Sequence, residues 1–192
     1  MSFITYCTKL CEQACCTIPP CAYVVGLYYQ SVVEKEIALC QMNIHDRVLC
    51  IGGGATPFSA CLFAAKTGAQ VTVIDKEPSV IAQAARFVKL MHLEDRVTVL
   101  HQNGLDVCPT HFSVIHLAMQ VTPLHMIKDY LHASMANTAR LIIRKPKAHV
   151  KQCYSVLEEN EYGKATAAVT HSGKMIAASI LFVKQMQNEY LA

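Results

Sequence analysis

Residues 47–75 read RVLCIGGGATPFSACLFAAKTGAQVTVID, and the rest of the chain can be arranged around them. Val48, Leu49, Cys50 and Ile51 form an apolar run without polar alternation, the pattern of a strand buried on both faces of a parallel sheet. Gly52, Gly53 and Gly54 end it, because glycine accepts positive φ and lets another group approach the backbone with no Cβ in the way. Thr56 is expected to cap a helix and Pro57 to supply a φ suited to its first turn. The helix is predicted over Phe58 to Thr67, with Gly68 as its stop. Val71 to Ile74 is the next buried strand, and Asp75 stands at its tip.

Open backbone N–H groups at a helix start attract negative charge, and a carboxylate at the tip of the second strand can accept two hydrogen bonds from a ribose diol. Asp75 lies 23 residues after Gly52, close to the roughly 20 expected of such a unit. An adenosine-containing cofactor is therefore expected, with Gly52, Gly53, Gly54, Thr56, Pro57, Asp75 and Lys76 around it. Gly52-x-Gly54-x-x-Pro57 lacks the third glycine that dinucleotide sites use for close helix–strand packing, which disfavours a nicotinamide dinucleotide.

The stretch resembles the S-adenosylmethionine (SAM) site of class I methyltransferases, whose first motif is a looser glycine-rich turn and whose second strand also ends in an acid. The resemblance implies SAM as cofactor and a transferase, in the first place a methyltransferase, acting on a small-molecule acceptor. Such transfer asks little acid–base chemistry of the protein, since holding the nucleophile in line supplies most of the acceleration.

A narrower likeness lies upstream, where a helix is expected from about Ala22 to Cys40. Nicotianamine synthases carry a tyrosine pair and then a glutamate before a glycine strand that ends in a G-x-G-x-x-P-like turn. Tyr28-Tyr29, Glu34 and Gly52-x-Gly54-x-x-Pro57 are similar. This implies an alternative in which the aminobutyrate part of SAM passes to an amine, as in metallophore synthesis. Tyr28, Tyr29 and Glu34 are the catalytic candidates, with Glu36 beside them; aromatic core plus solvated carboxylates is the structural alternative.

Beyond Asp75, Pro78 to Leu93 is an amphipathic helix and Arg96 to Leu100 a third strand. The methyltransferase resemblance gives Asn103, with Gly104 beside it, the adenine amino group to read through its side-chain carbonyl. Ser113 to Val121 is the fourth strand and its exit. Ligands sit beyond the carboxyl ends of parallel strands, so Ala118 and Gln120 should border the reacting centre, whereas His116 is expected inside the strand, satisfied by packing. Leu124 to Met135 is a helix and Ala139 to Arg144 a fifth strand; Arg144, Lys145 and Lys147 at its carboxyl end are either ligands for a carboxylate or a solvated loop. Val150 to Glu159 reads as a last helix. Thr166 to Thr170 and Met175 to Val183 form a hairpin through His171-Ser172-Gly173-Lys174. The expected fold is a Rossmann-like, doubly wound, mostly parallel sheet closed by an antiparallel C-terminal hairpin, with a short N-terminal helical segment.

The 192 residues suit one domain of usual size, read as a lid or oligomerisation segment over residues 1–45 and a cofactor-binding domain over 46–192. Hydrophobic residues make up 53% of the chain, yet no window reaches the roughly 18 to 20 apolar residues of a membrane span. Without a leader pattern at the start, a cytoplasmic protein is expected. A net charge of +3 with scattered Lys and Arg asks for no nucleic-acid partner.

Of 10 cysteines, Cys40, Cys50, Cys61, Cys108 and Cys153 sit singly beside apolar segments, a reduced-compartment pattern. Cys7, Cys11, Cys15, Cys16 and Cys21 crowd the start, without the C-x-x-C pairs of zinc sites. Packing or a homodimer contact is expected there, and no metal. A non-catalytic nucleotide-binding subunit is the reading from a different class.

Overall fold

The structure, a computed structural model, describes residues 19–184, with side chains from Tyr29 onward. The tyrosine Tyr28 and the N-terminal cysteines therefore lie outside the described side chains, and residues 1–18 of the expected N-terminal helical segment lie outside the described residues. Helix α1 (Pro19–Cys40) leads into β1 (Arg47–Ile51), α2 (Phe58–Thr67), β2 (Gln70–Asp75), α3 (Pro78–Leu90), β3 (Val97–His101) and β4 (Val114–Leu117). Then follow α4 (Leu124–Ser134), β5 (Arg140–Pro146), the one-turn α5 (Glu159–Tyr162), β6 (Ala167–Thr170) and β7 (Ile176–Val183).

The seven strands form one sheet in the order β3-β2-β1-β4-β5-β7-β6. β1 to β5 run parallel, and β7 is antiparallel to both β5 and β6. The predicted hairpin therefore enters the sheet with its second strand innermost. Strand order reverses direction between β1 and β4, the place where open α/β sheets leave a crevice beyond the strand ends.

Alternation along the buried strands divides the core into two layers. Val48, Cys50, Val71, Val73 and Val114 face α2 and α3 through Phe63, Ala64, Phe87 and Val88. Leu49, Ile51, Ile115, Leu117 and Leu141 face α4 through Leu124, Ile127, Leu131 and Met135. Gly68 closes α2 in the left-handed region at φ 76°, its N–H donating to Ala64 O. The helix predicted over Val150 to Glu159 does not form. Ala148–Cys153 is a short 3-10 stretch and the chain stays extended until Glu159, because the Ser155 hydroxyl accepts the Leu124 N–H at 3.2 Å and only Val150 and Leu157 are buried.

The C-terminal half of α1 belongs to this core. Val33 is fully buried on the α2 side of the sheet, and one turn on Glu36 is fully buried too. Arg144 of β5 donates to Glu36 from Nε at 2.8 Å and from Nη2 at 2.7 Å, and the hydroxyl of Ser179 in β7 donates to Oε1. Arg144 is thus a buried structural cation, not part of a solvated loop. Lys145 beside it pairs with Glu159 at the surface. Among the described residues no helix is long and apolar enough to cross a membrane.

Burial alone would raise the Glu36 carboxyl, but the charge and hydrogen bonds of Arg144 outweigh it and hold it at about 2 against an ordinary 4.5. Burial pushes His116 down to about 3 from 6.5, with Arg144 adding to the effect. Burial likewise lowers His132 and His171. The unfolded chain therefore takes up protons that the folded chain refuses, and stability should be full above pH 6.5 and fall on acidification. The His116 limb runs from 6.5 toward 3 and the Glu36 limb from 4.5 toward 2, each with a slope of about 1.4 kcal/mol per pH unit. Urea unfolding across this range checks it. His116→Asn should flatten the limb between pH 6.5 and 4.5, and an unchanged slope would remove His116 as its source.

Candidate functional site

A cavity of about 1040 Å³ lies beyond the carboxyl ends of β1, β2 and β4, at the upper end of the roughly 300–1,000 Å³ usual for small-molecule sites. Its floor is the glycine turn. Gly52 and Gly54 have φ of 82° and 61°, which only glycine adopts without strain. Gly53 has no room for a side chain, since a Cβ there would meet Val73 Cγ1 at 2.2 Å. Pro57 occupies the N-cap of α2 with φ −76° and ψ 59° and makes no side-chain cap. Thr56 is consequently one residue too early to cap the helix. Its buried Oγ1 has no hydrogen-bond partner among the described residues and borders the cavity.

Asp75 forms the side wall and is fixed at both carboxylate oxygens. Oδ2 accepts the Gly54 N–H at 2.8 Å and Oδ1 the Glu77 N–H at 3.0 Å, which ties the acid to the turn and aims it before any ligand arrives. Each oxygen keeps a further lone pair, enough for a diol. Lys76 reaches from the same strand end across the rim to Thr122 O at 3.1 Å. Asn103 uses its side-chain carbonyl to accept the Leu105 N–H at 3.1 Å, a turn that holds the amide in place with one lone pair left. A Cβ on Gly104 would stand 3.1 Å from Ile51 Cγ2, so the loop packs tightly on the end of β1. Ala118 donates its N–H to Ile51 O at 3.1 Å, closing β4 onto β1, and Gln120 follows on the rim.

All eleven residues expected around a cofactor thus line one cavity. The catalytic candidates divide. Tyr29 lines it, stacked on Phe58 with ring centroids 6.0 Å apart and under the Arg144 guanidinium at 5.5 Å. Glu34 is not brought there. It is exposed and accepts from Lys66 Nζ at 2.8 Å and Gln30 Nε2 at 3.1 Å, and these bonds keep its carboxyl below the usual range. Glu34 and Glu36 are two residues apart, roughly 200° around the helix, so burying one turns the other to water.

His116 lies in β4 as expected, 2% exposed and edge-on to Phe63, but its buried Nε2 has no hydrogen-bond partner among the described residues. It too borders the cavity. The segments Tyr154-Ser155 and Met175-Ile176 form a further wall that sequence reasoning did not find. No local pattern marks them: Met175-Ile176 reach the site through the insertion of β7 beside β5, and Ser155 is held by accepting the Leu124 N–H at the start of α4.

Cys40, Cys50 and Cys61 are buried free thiols, with burial pushing Cys40 and Cys61 up to about 12. Cys108 departs from the expected apolar setting. It is exposed beside Thr110, whose hydrogen bonds lower its pKa. Among the described residues no group of three or more His, Cys, Asp or Glu could hold a metal ion.

No family model matches the chain. L-histidine 2-aminobutanoyltransferase of Yersinia pestis is 33% identical over 116 residues, covering 60% of this chain and 43% of that protein. The chain thus spans less than half the length of that relative. Among solved structures, MtNAS, a nicotianamine synthase, in complex with MTA and tNA superposes with a TM-score of 0.76 at 20% identity, over 92% of this chain and 69% of that one. An RNA methyltransferase of Salinibacter ruber in complex with S-adenosyl-L-homocysteine gives 0.66 at 13% identity, over 82% and 92%. These likenesses show the fold.

Asp75→Asn replaces one carboxylate oxygen with an amide nitrogen that cannot accept a backbone N–H. Calorimetric titration with adenosine should show affinity weakened by about 1–3 kcal/mol with the fold retained. Unchanged affinity would remove Asp75 from the nucleoside site.

Proposed function

From the fold it shares with class I SAM-dependent methyltransferases, we propose that this chain binds SAM in the cavity described and transfers a group from it to a small-molecule acceptor. The observation that carries the reading is Asp75, held at both oxygens beside a glycine turn whose middle residue has no space for a Cβ. A pre-aimed acid next to exposed backbone is what an adenosine needs, and the orphaned Thr56 hydroxyl adds a polar partner for the rest of the cofactor.

Asp75 would hold the ribose diol, Asn103 the adenine amino group, and Gly52 to Gly54 the backbone-facing side of the methionine chain. Lys76 and Gln120 form the rim, and Tyr29 with Ile127 excludes water from the interior. Bound SAM supplies a carbon already activated by the sulfonium. Orientation is then the main task of this chain's residues. Glu36 is unsuited to be a free base, since Arg144 occupies both of its oxygens.

Methyl transfer is the first reading. Transfer of aminobutyrate is the second, favoured by the 33% identity to the Yersinia pestis aminobutanoyltransferase and by Tyr29 at the cavity wall.

Calorimetric titration with SAM, S-adenosylhomocysteine, methylthioadenosine and NAD tests the cofactor. Dissociation constants of about 1 μM for the first two, and much weaker binding of NAD, are expected. Preference for NAD, or no binding by any of the four, would overturn the reading. Release of S-adenosylhomocysteine on incubation with a small-molecule cell extract identifies methyl transfer, and release of methylthioadenosine identifies aminobutyrate transfer.

A further inference from the structure

One side chain crosses the cavity from rim to rim. Lys76 Nζ donates to Thr122 O at 3.1 Å, and both residues line the cavity. Lys76 follows the last residue of β2, whereas Thr122 stands between β4 and α4. In the sheet β1 lies between β2 and β4, so the two ends start two strand spacings apart, roughly 10 Å. The contact therefore spans the end of β1, where Val121 Cγ2 already fills the space that a Cβ on Gly52 would need. Alternation fixes the side on which it lies. Ile74 belongs to the α4 layer of the core, and two residues on, Lys76 returns to that side. Asn103 and Gly104 line the cavity there, with Gly104 packed toward Ile127 of α4.

Both anchorages of this bridge are held by backbone. The carbonyl of Lys76 accepts from His101 Nε2 at 3.1 Å and that of Asp75 accepts the Gln102 N–H at 3.0 Å, which pins the end of β2 to β3. On the far side the Val121 N–H donates to Ala118 O at 3.2 Å and the Leu124 N–H to Ser155 Oγ at 3.2 Å, so Thr122 is bracketed by two fixed residues. What is left to move is the lysine side chain, which is exposed. Its charge-assisted hydrogen bond is offset in part by the rotamer freedom it gives up, so neither the closed nor the open form is far from the other in free energy. Exposed side chains change rotamer within nanoseconds, far faster than a tightly bound ligand dissociates.

We propose that Lys76 is a strap closing over the Asn103 end of the cofactor site, so that a nucleoside ligand enters and leaves only while the hydrogen bond to Thr122 is broken. This rests on the SAM-transferase reading above and adds how exchange at that site is controlled. The strap bonds to the protein's own backbone and closes on the empty and the filled cavity alike. A contact with equal strength in both states shifts no binding equilibrium. It instead scales association and dissociation by the same factor, the fraction of time the strap is open. The bridge also keeps the ammonium on Thr122 O, away from the positively charged sulfur that SAM would bring.

The test uses the full chain and S-adenosylhomocysteine, with both rate constants read by surface plasmon resonance. Lys76→Met keeps most of the aliphatic stem and removes the donor. It should raise the association and dissociation rate constants each by about threefold, with the dissociation constant moved by less than about 1.5-fold. Lys76→Arg, which keeps a cationic donor of similar reach, should exchange ligand at close to the wild-type rates. Position 76 is exposed, so neither change touches the core. Faster dissociation alone in Lys76→Met would make the lysine an ordinary contact to the cofactor. Faster association alone would make the strap a competitor for the site, not a cover over it. Unchanged rates in Lys76→Met, or exchange in Lys76→Arg as fast as in Lys76→Met, would show that the hydrogen bond closes nothing. Each of these results would overturn the proposal while leaving the cofactor reading intact. Failure of S-adenosylhomocysteine to bind wild-type protein would overturn the cofactor reading, and this proposal with it.

Discussion

Two charges taken out of water must satisfy one another, and the Glu36–Arg144 pair does so across the join between α1 and the sheet. Arg144 is 4% exposed and Glu36 not at all, and two charge-assisted hydrogen bonds link them, with Ser179 of β7 completing one oxygen. Such a pair adds little net stability over a well-packed apolar one, but losing either partner leaves a buried charge uncompensated. Its structural value is positional. It sets α1 against β5 and β7 and fixes the guanidinium beside the cavity. The same constraint keeps Tyr29 stacked between Phe58 and Arg144.

The opposite side of the cavity is built from backbone. Positive φ at Gly52 and Gly54 turns the chain back from β1, and the Gly54 N–H spends itself on Asp75 rather than on the helix. The acid at the end of β2 is therefore part of the turn. Val73 fills the space that a side chain at Gly53 would need. The result is a cleft with one wall of peptide groups and a carboxylate and the other of buried side chains.

Much of this was legible in the chain. Strand, glycine turn, helix, strand and acid follow from local rules, and each residue expected beside a cofactor, from Gly52 to Gln120, lines the cavity because strand ends and turns dictate where those residues emerge. The helix expected after Val150 failed for a reason that was not local, since the Ser155 hydroxyl is engaged by the start of α4. Glu34 and Glu36 looked alike as carboxylates on one helix. Which of them faces the sheet depends on how α1 is rotated against β5, and a helix with apolar residues on most sides does not announce that rotation.

The sequence by itself determined the period of each element, the breaks between them and the glycine–acid pair, because those depend on backbone geometry and on neighbours a few residues away. Only the tertiary structure decided that Glu36 meets Arg144 across a separation of 108 residues, that His116 Nε2 is buried without a hydrogen-bond partner among the described residues, and that Tyr154 and Met175 line the cavity. The physical reason is the sheet order. Placing β7 between β5 and β6 brings together side chains whose chemistry depends on what lies opposite them, and no local pattern records what that will be.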